Sequence, residues 1–139
     1  MSDVRTQLVF TKPLPTAHSS VFVLLILLLT GCAADLPKLT DMDLVKWSGD
    51  RNGCQGYRHN TISALDQQKS KLLALSANDL TKLLGKPDQI ELYKRNQKLF
   101  YYHLNPAASC NIKNQSNESL RLMIRLNAME RAKEILITP

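Results

Sequence analysis

Three cysteines and, beyond the apolar run at residues 21–29, two histidines are the side chains whose types could do covalent or acid–base chemistry. Cys32 closes the stretch Leu29-Thr30-Gly31-Cys32, which has the form of the lipobox at which bacteria cleave and acylate secreted chains. Small residues at 30 and 31 let the backbone enter a peptidase extended, and the thiol of Cys32 is the atom that would take a diacylglyceryl group. Cys54 and Cys110 remain. An odd cysteine count in an oxidising compartment is resolved when one thiol is committed elsewhere, so the spacing predicts a Cys54–Cys110 disulfide. His59 and His103 are far apart in sequence, and neither has a Cys or Ser motif beside it. The sequence holds no phosphate loop, nucleophile elbow or zinc-binding helix, and neither Cys54 nor Cys110 belongs to a CxxC pair. The reading is a non-catalytic protein with no metal, no cofactor and no evident small-molecule substrate, a hydrolase using His103 being the weaker alternative.

The apolar run from Val21 to Leu29 has the length of a signal-peptide core and is too short for a membrane span. Arg5 and Lys12 precede it. The leading segment is long and carries Pro13 and Pro15, which points to an extended n-region or a downstream start codon. Residues 1–31 are thus expected to be a lipoprotein signal peptide. Ala33, not Asp, follows Cys32, which by analogy directs the anchor to the outer membrane facing the periplasm. The whole sequence carries 18 Lys plus Arg against 12 Asp plus Glu. Setting aside Arg5, Lys12 and Asp3 leaves 16 cationic and 11 acidic side chains, a net +5. That mild excess lacks the aromatic-interleaved basic motifs of a nucleic-acid binder. About one domain fits in the 108 residues after position 31.

The positioning elements follow from hydropathy. Residues 32–60, with Pro37 and the turn-prone Asp50-Arg51-Asn52-Gly53, read as a lipidated tether and a loose arm anchored by Trp47. Ile62, Leu65, Leu72 and Leu73 give a first helix over about 61–74. Ser76 followed three residues later by Asp79 is a capping signal, and Gly85 with Pro87 ends a second helix over about 77–84, Gly85 taking a left-handed cap. Alternation then sets in: Ile90 to Tyr93 and Leu99 to Leu104 form a hairpin around the polar Lys94–Lys98 stretch. A long loop carries Cys110. Ser119 to Leu126 and Ala132 to Ile137 supply two further strands. Residues 61–139 are expected to form one α+β domain, two helices packed on a three- to four-stranded antiparallel sheet.

The capped helix ending Leu83-Leu84-Gly85-Lys86-Pro87-Asp88, the aromatic Phe100-Tyr101-Tyr102 strand and the strand Leu120 to Asn127 together resemble the SmpA/OmlA (BamE-like) small outer-membrane lipoproteins. The similarity covers roughly residues 61–137. It implies a scaffold or partner-binding role beside the machinery that folds β-barrels into the outer membrane, and a sheet arrangement shared with the β-lactamase-inhibitor-like fold. This chain departs from the family where Leu75-Ser76 replaces a helix-opening glycine, where Trp-Tyr is missing from the aromatic strand, and where a Gln-Gly motif near the mature N-terminus is absent. The partner is then expected to be another envelope protein. The sheet face away from the helices, with Tyr93, Tyr101, His103, Arg121, Met123 and Arg125, is the candidate contact surface. An alternative is a lipid or envelope-glycan binder, in which Lys94, Arg95, Lys98, Arg121 and Arg125 meet anionic groups.

Overall fold

The structure, a computed structural model, describes residues 35–111 and 119–139. The expected signal peptide and the acylation site Cys32 lie outside the described residues. From Leu36 to Pro139 the chain forms one compact unit. Its helices are α1 (Leu44–Gly49), α2 (Tyr57–Asn60), α3 (Ile62–Gln68) and α4 (Ala77–Leu84), with 3₁₀ turns at Arg51–Gly53 and Lys69–Leu72. The strands β1 (Gln89–Tyr93), β2 (Gln97–His103), β3 (Arg121–Leu126) and β4 (Ala132–Thr138) follow as an antiparallel meander in sequence order. No helix among the described residues is long and apolar enough to cross a membrane.

The α+β class and the four antiparallel strands agree with the expectation, and α4 falls on the residues that its caps predict. The Ser76 hydroxyl accepts from the Asp79 amide at 3.1 Å and donates to the Asp79 carboxylate at 2.6 Å. That hydroxyl first, then the Ser76 backbone amide and the Lys82 and Arg131 charges, hold the Asp79 carboxyl below its ordinary pKa. Gly85 ends α4 differently from the expected left-handed cap: its φ of +80° and ψ of 177° lie in a region that glycine alone enters readily. A Cβ there would meet the Ser48 Cβ at 2.8 Å. The single helix expected over about 61–74 is broken. α3 stops at Gln68, and a 3₁₀ turn carries the chain to Leu72 before Leu73 turns extended. Gln68 is drawn out of the helical pattern by Thr40, whose amide donates to Oε1 at 2.9 Å and whose carbonyl accepts from Nε2 at 2.7 Å.

The largest departure is the arm. Residues 36–60 are not loose. Leu39, Met42 and Trp47 are buried in the same core as Leu65, Leu80, Leu84, Tyr102, Leu122 and Ile124. Asp43 caps α1 by accepting from the Val45 and Lys46 amides at 3.0 and 3.2 Å. The helix layer therefore has four short α-helices where two were expected. Cys54 and Cys110 lie at disulfide distance with their Cα atoms 5.5 Å apart, joining the arm to the loop after β2.

The strands place their even-numbered β2 and β3 residues, Phe100, Tyr102, Leu122, Ile124 and Leu126, against the helices. A register shift between Arg125 and Leu126 brings Leu126 opposite Ala132. The residues before α4 pair with this corner: the Ala74 amide donates to the Ala132 carbonyl and the Ala132 amide to the Leu75 carbonyl, each at 2.9 Å.

Candidate functional site

The second face of the sheet carries no covering layer among the described residues. Register sets its composition: Tyr101 stands opposite Met123, His103 opposite Arg121, Leu99 opposite Arg125, and Met123 opposite Leu136 on β4. Tyr93, at the hairpin end of β1, pairs with Gln97 on the same side. All six expected contact residues thus share one face, as alternation along a strand requires. They are not equally available. Tyr101 is only 8% exposed, against the expectation of a surface aromatic, whereas Tyr93 is 46% and Leu136 40% exposed. The reason lies in its neighbours. The Arg121 guanidinium stacks over the Tyr101 ring at 4.8 Å from the centroid, and the Tyr101 hydroxyl donates to the Glu91 carboxylate at 3.3 Å. Burial first, then the Glu91 charge, pushes the Tyr101 hydroxyl pKa up.

The cations on this face are largely engaged. Arg125 Nε is 2.9 Å from Glu134 Oε2, and Arg121 Nη2 also donates to the Pro139 carbonyl at 3.3 Å. Lys98 is opposite Leu126 and so lies on the helix side of the sheet, ion-paired with Glu130. Lys94 and Arg95, at the turn, are exposed. His103 is half-buried, and desolvation moves its pKa below the ordinary value, so the ring is neutral near pH 7.

No family model, curated protein or solved structure matches this chain.

A second constellation, at the end of the sheet beneath the arm, was not anticipated from sequence. Asp88, after α4, has a side chain only 1% exposed and receives four donors. Oδ1 accepts from the Asn52 amide and lies near Arg51 Nε, both at 3.2 Å. Oδ2 accepts from Arg58 Nη1 at 2.5 Å and from the His103 amide at 2.9 Å. Arg58 is fully buried. Its guanidinium lies between the Trp47 and Tyr102 rings, 5.3 and 5.5 Å from their centroids, and Nε donates to the Trp47 carbonyl at 3.0 Å. Asp50, also buried, accepts from the Gln55 amide at 2.7 Å and the Arg58 amide at 2.8 Å. A buried charge survives only when paired and hydrogen-bonded; Asp88 meets both conditions, and Arg58 does so through Nε and Nη1 while its Nη2 is buried without a hydrogen-bond partner.

This cluster is an organising site, with no geometry for acid–base turnover. Every oxygen of Asp88 is committed to a donor, and burial pushes the Tyr102 hydroxyl far up while that hydroxyl donates to the Gly85 carbonyl at 2.9 Å. His59 has Nδ1 2.6 Å from Asn105 Oδ1. What the cluster does is hold the arm, the end of α4 and the end of β2 in one arrangement. No sequence signal distinguishes Arg58 or Asp88 from solvated charges, because their partners are 30 residues apart.

Proposed function

We propose that this chain is a non-catalytic, lipid-anchored protein of the bacterial envelope that binds another envelope protein through the open face of its sheet. The observation that carries the reading is the pairing of Cys54 with Cys110. It leaves Cys32 as the unpaired cysteine, at the end of an apolar run of signal-peptide length, and a disulfide belongs to an oxidising compartment. The contact face is supported by Leu136, exposed opposite Met123, by the nearby arginines, and by Tyr93, exposed at the hairpin end of the same face, aromatic, Met and Arg side chains being enriched in protein interfaces. The helix–sheet order and the turn Leu84-Gly85-Lys86-Pro87 are consistent with a SmpA/OmlA-like lipoprotein, for which the partner would be the outer-membrane barrel-assembly machinery. Fold likeness does not fix the partner. Binding to anionic lipid or glycan through the open face is less favoured, because Arg121 and Arg125 are already engaged and Lys98 lies on the helix side, which leaves it only Lys94 and Arg95 at the hairpin turn.

Photo-cross-linking in the native cell from position 123 or 136, with mass spectrometry of the captured protein, tests the reading. Recovery of an envelope protein from the sheet face, and not from an equivalent probe at Ser63 on the helix layer, is the expected result. Equal capture from both faces would sink the assignment of the face. Capture of barrel-assembly components would assign the partner.

A further inference from the structure

We infer that the helix layer, around the point where the packed chain begins, lies against the bilayer that holds the anchor, so that the open sheet face is turned away from the lipid. The inference rests on the proposed acylation of Cys32 and adds an orientation to it. Its basis is the ordered arm. Packing starts at Leu36, and the segment that follows is pinned at once: Lys71 Nζ donates to the Lys38 carbonyl at 3.1 Å, Thr40 is bonded to Gln68, and Leu39 and Met42 are in the core. Four residue steps separate Cys32 from Leu36, a reach of at most about 14 Å. About 6 Å of that is headgroup layer. A folded unit of this size has a diameter of about 30 Å or more, so the surface around Leu36 stays within about 8 Å of the headgroups, and the opposite face cannot reach them.

That surface is suited to the position. Leu36, Leu44, Val45, Lys82 and Leu83 line an open groove of about 380 Å³ between α1 and α4. Val45 is 81% exposed although it projects from a helix whose other face is buried. Lys82 lines the groove, and Lys46, next to Val45 on α1, is exposed with its ammonium 3.8 Å from the Asp43 carboxylate. Exposed aliphatic side chains bordered by long-stemmed ammonium groups are the composition of interfacial contacts, the stems lying along apolar surface while the charges reach headgroups.

The test uses the full chain purified from membranes, with the mass of its N-terminal peptide read first. Acylated chains carrying a fluorophore at Val45→Cys or at Leu136→Cys, with the native disulfide intact, are placed in phosphatidylethanolamine–phosphatidylglycerol vesicles containing nitroxide-labelled lipid. Lipid quenching several-fold stronger at position 45 than at 136 is expected, as is loss of the contrast when a Gly/Ser linker longer than the headgroup layer is inserted between Asp35 and Leu36. Equal quenching, or stronger quenching at 136, overturns the orientation while leaving the lipoprotein reading intact. A label at 45 that is shielded from water but not quenched by lipid also overturns it, and assigns the groove to a protein. Persistence of the contrast with the linker would overturn the short tether as its cause. An unmodified Cys32 removes both the lipoprotein reading and the orientation built on it.

Discussion

Asp88 is the residue on which the others at this end of the fold depend. Asp88→Asn keeps the shape but strips the charge that balances Arg58, which is enclosed by two rings and has no route to water. Removing one partner of such a pair costs about 3–5 kcal/mol, so the urea midpoint should fall sharply without a change in the steepness of the transition. A shift no larger than that of a surface substitution would mean that Arg58 is satisfied by other groups. His103 gives a subtler reading. Its folded pKa is depressed, mainly by desolvation. Above the unfolded value of about 6.5 the ring is neutral in both states. As pH falls through that value the unfolded chain takes up the proton first, and the folded state loses stability until its own lower pKa is passed. Melting temperature should therefore drop as pH falls through about 6.5, and His103→Gln should flatten the drop. These two residues differ in legibility: the strand position of His103 is set by alternation, whereas the charge balance of Asp88 depends on which segments meet in space.

At the level of elements, α4 and the strands were readable because their signals are local. Ser76, Asp79, Gly85 and Pro87 punctuate a helix within a dozen residues, and the period of two from Leu120 to Leu126 needs no tertiary knowledge. Ser76→Ala should cost about 1 kcal/mol through the lost cap, seen as a lowered melting temperature. Gly85→Ala should cost about 1–3 kcal/mol, because the backbone angle and the approach to Ser48 both oppose a side chain. A neutral result for Gly85→Ala would show that α1 can shift away from α4. The arm was misread for the converse reason. Its helices are only six and four residues long, too short to carry a periodic signal, and they form because Trp47, Leu39 and Met42 are buried and Asp43 and Asp50 satisfy backbone amides. Tyr101 was misjudged in the same way: alternation assigns a face, but exposure depends on whether a neighbour such as Arg121 lies across the ring.

For the molecule as a whole, the Cys54–Cys110 link closes 56 residues of sequence. On the chain-entropy account, loops of that length contribute about 4 kcal/mol by restricting the unfolded chain. Reduction should lower the denaturation midpoint accordingly, and the Cys54→Ser, Cys110→Ser double variant should match the reduced protein. Unchanged stability on reduction would place little weight on the link. The same link shapes how the fold would respond to load. If the chain is held in a membrane at one end and by a partner across its sheet, tension enters at Leu36 and travels along the arm. Peeling can release the stretch from Leu36 to Gly53, about 60 Å when fully extended, and then meets a covalent stop at Cys54. Beyond that point force passes directly to Cys110, bypassing the helices and the first two strands. Held in that way, the fold would have a limited stroke and a hard end to it, as a shock-absorbing strap has.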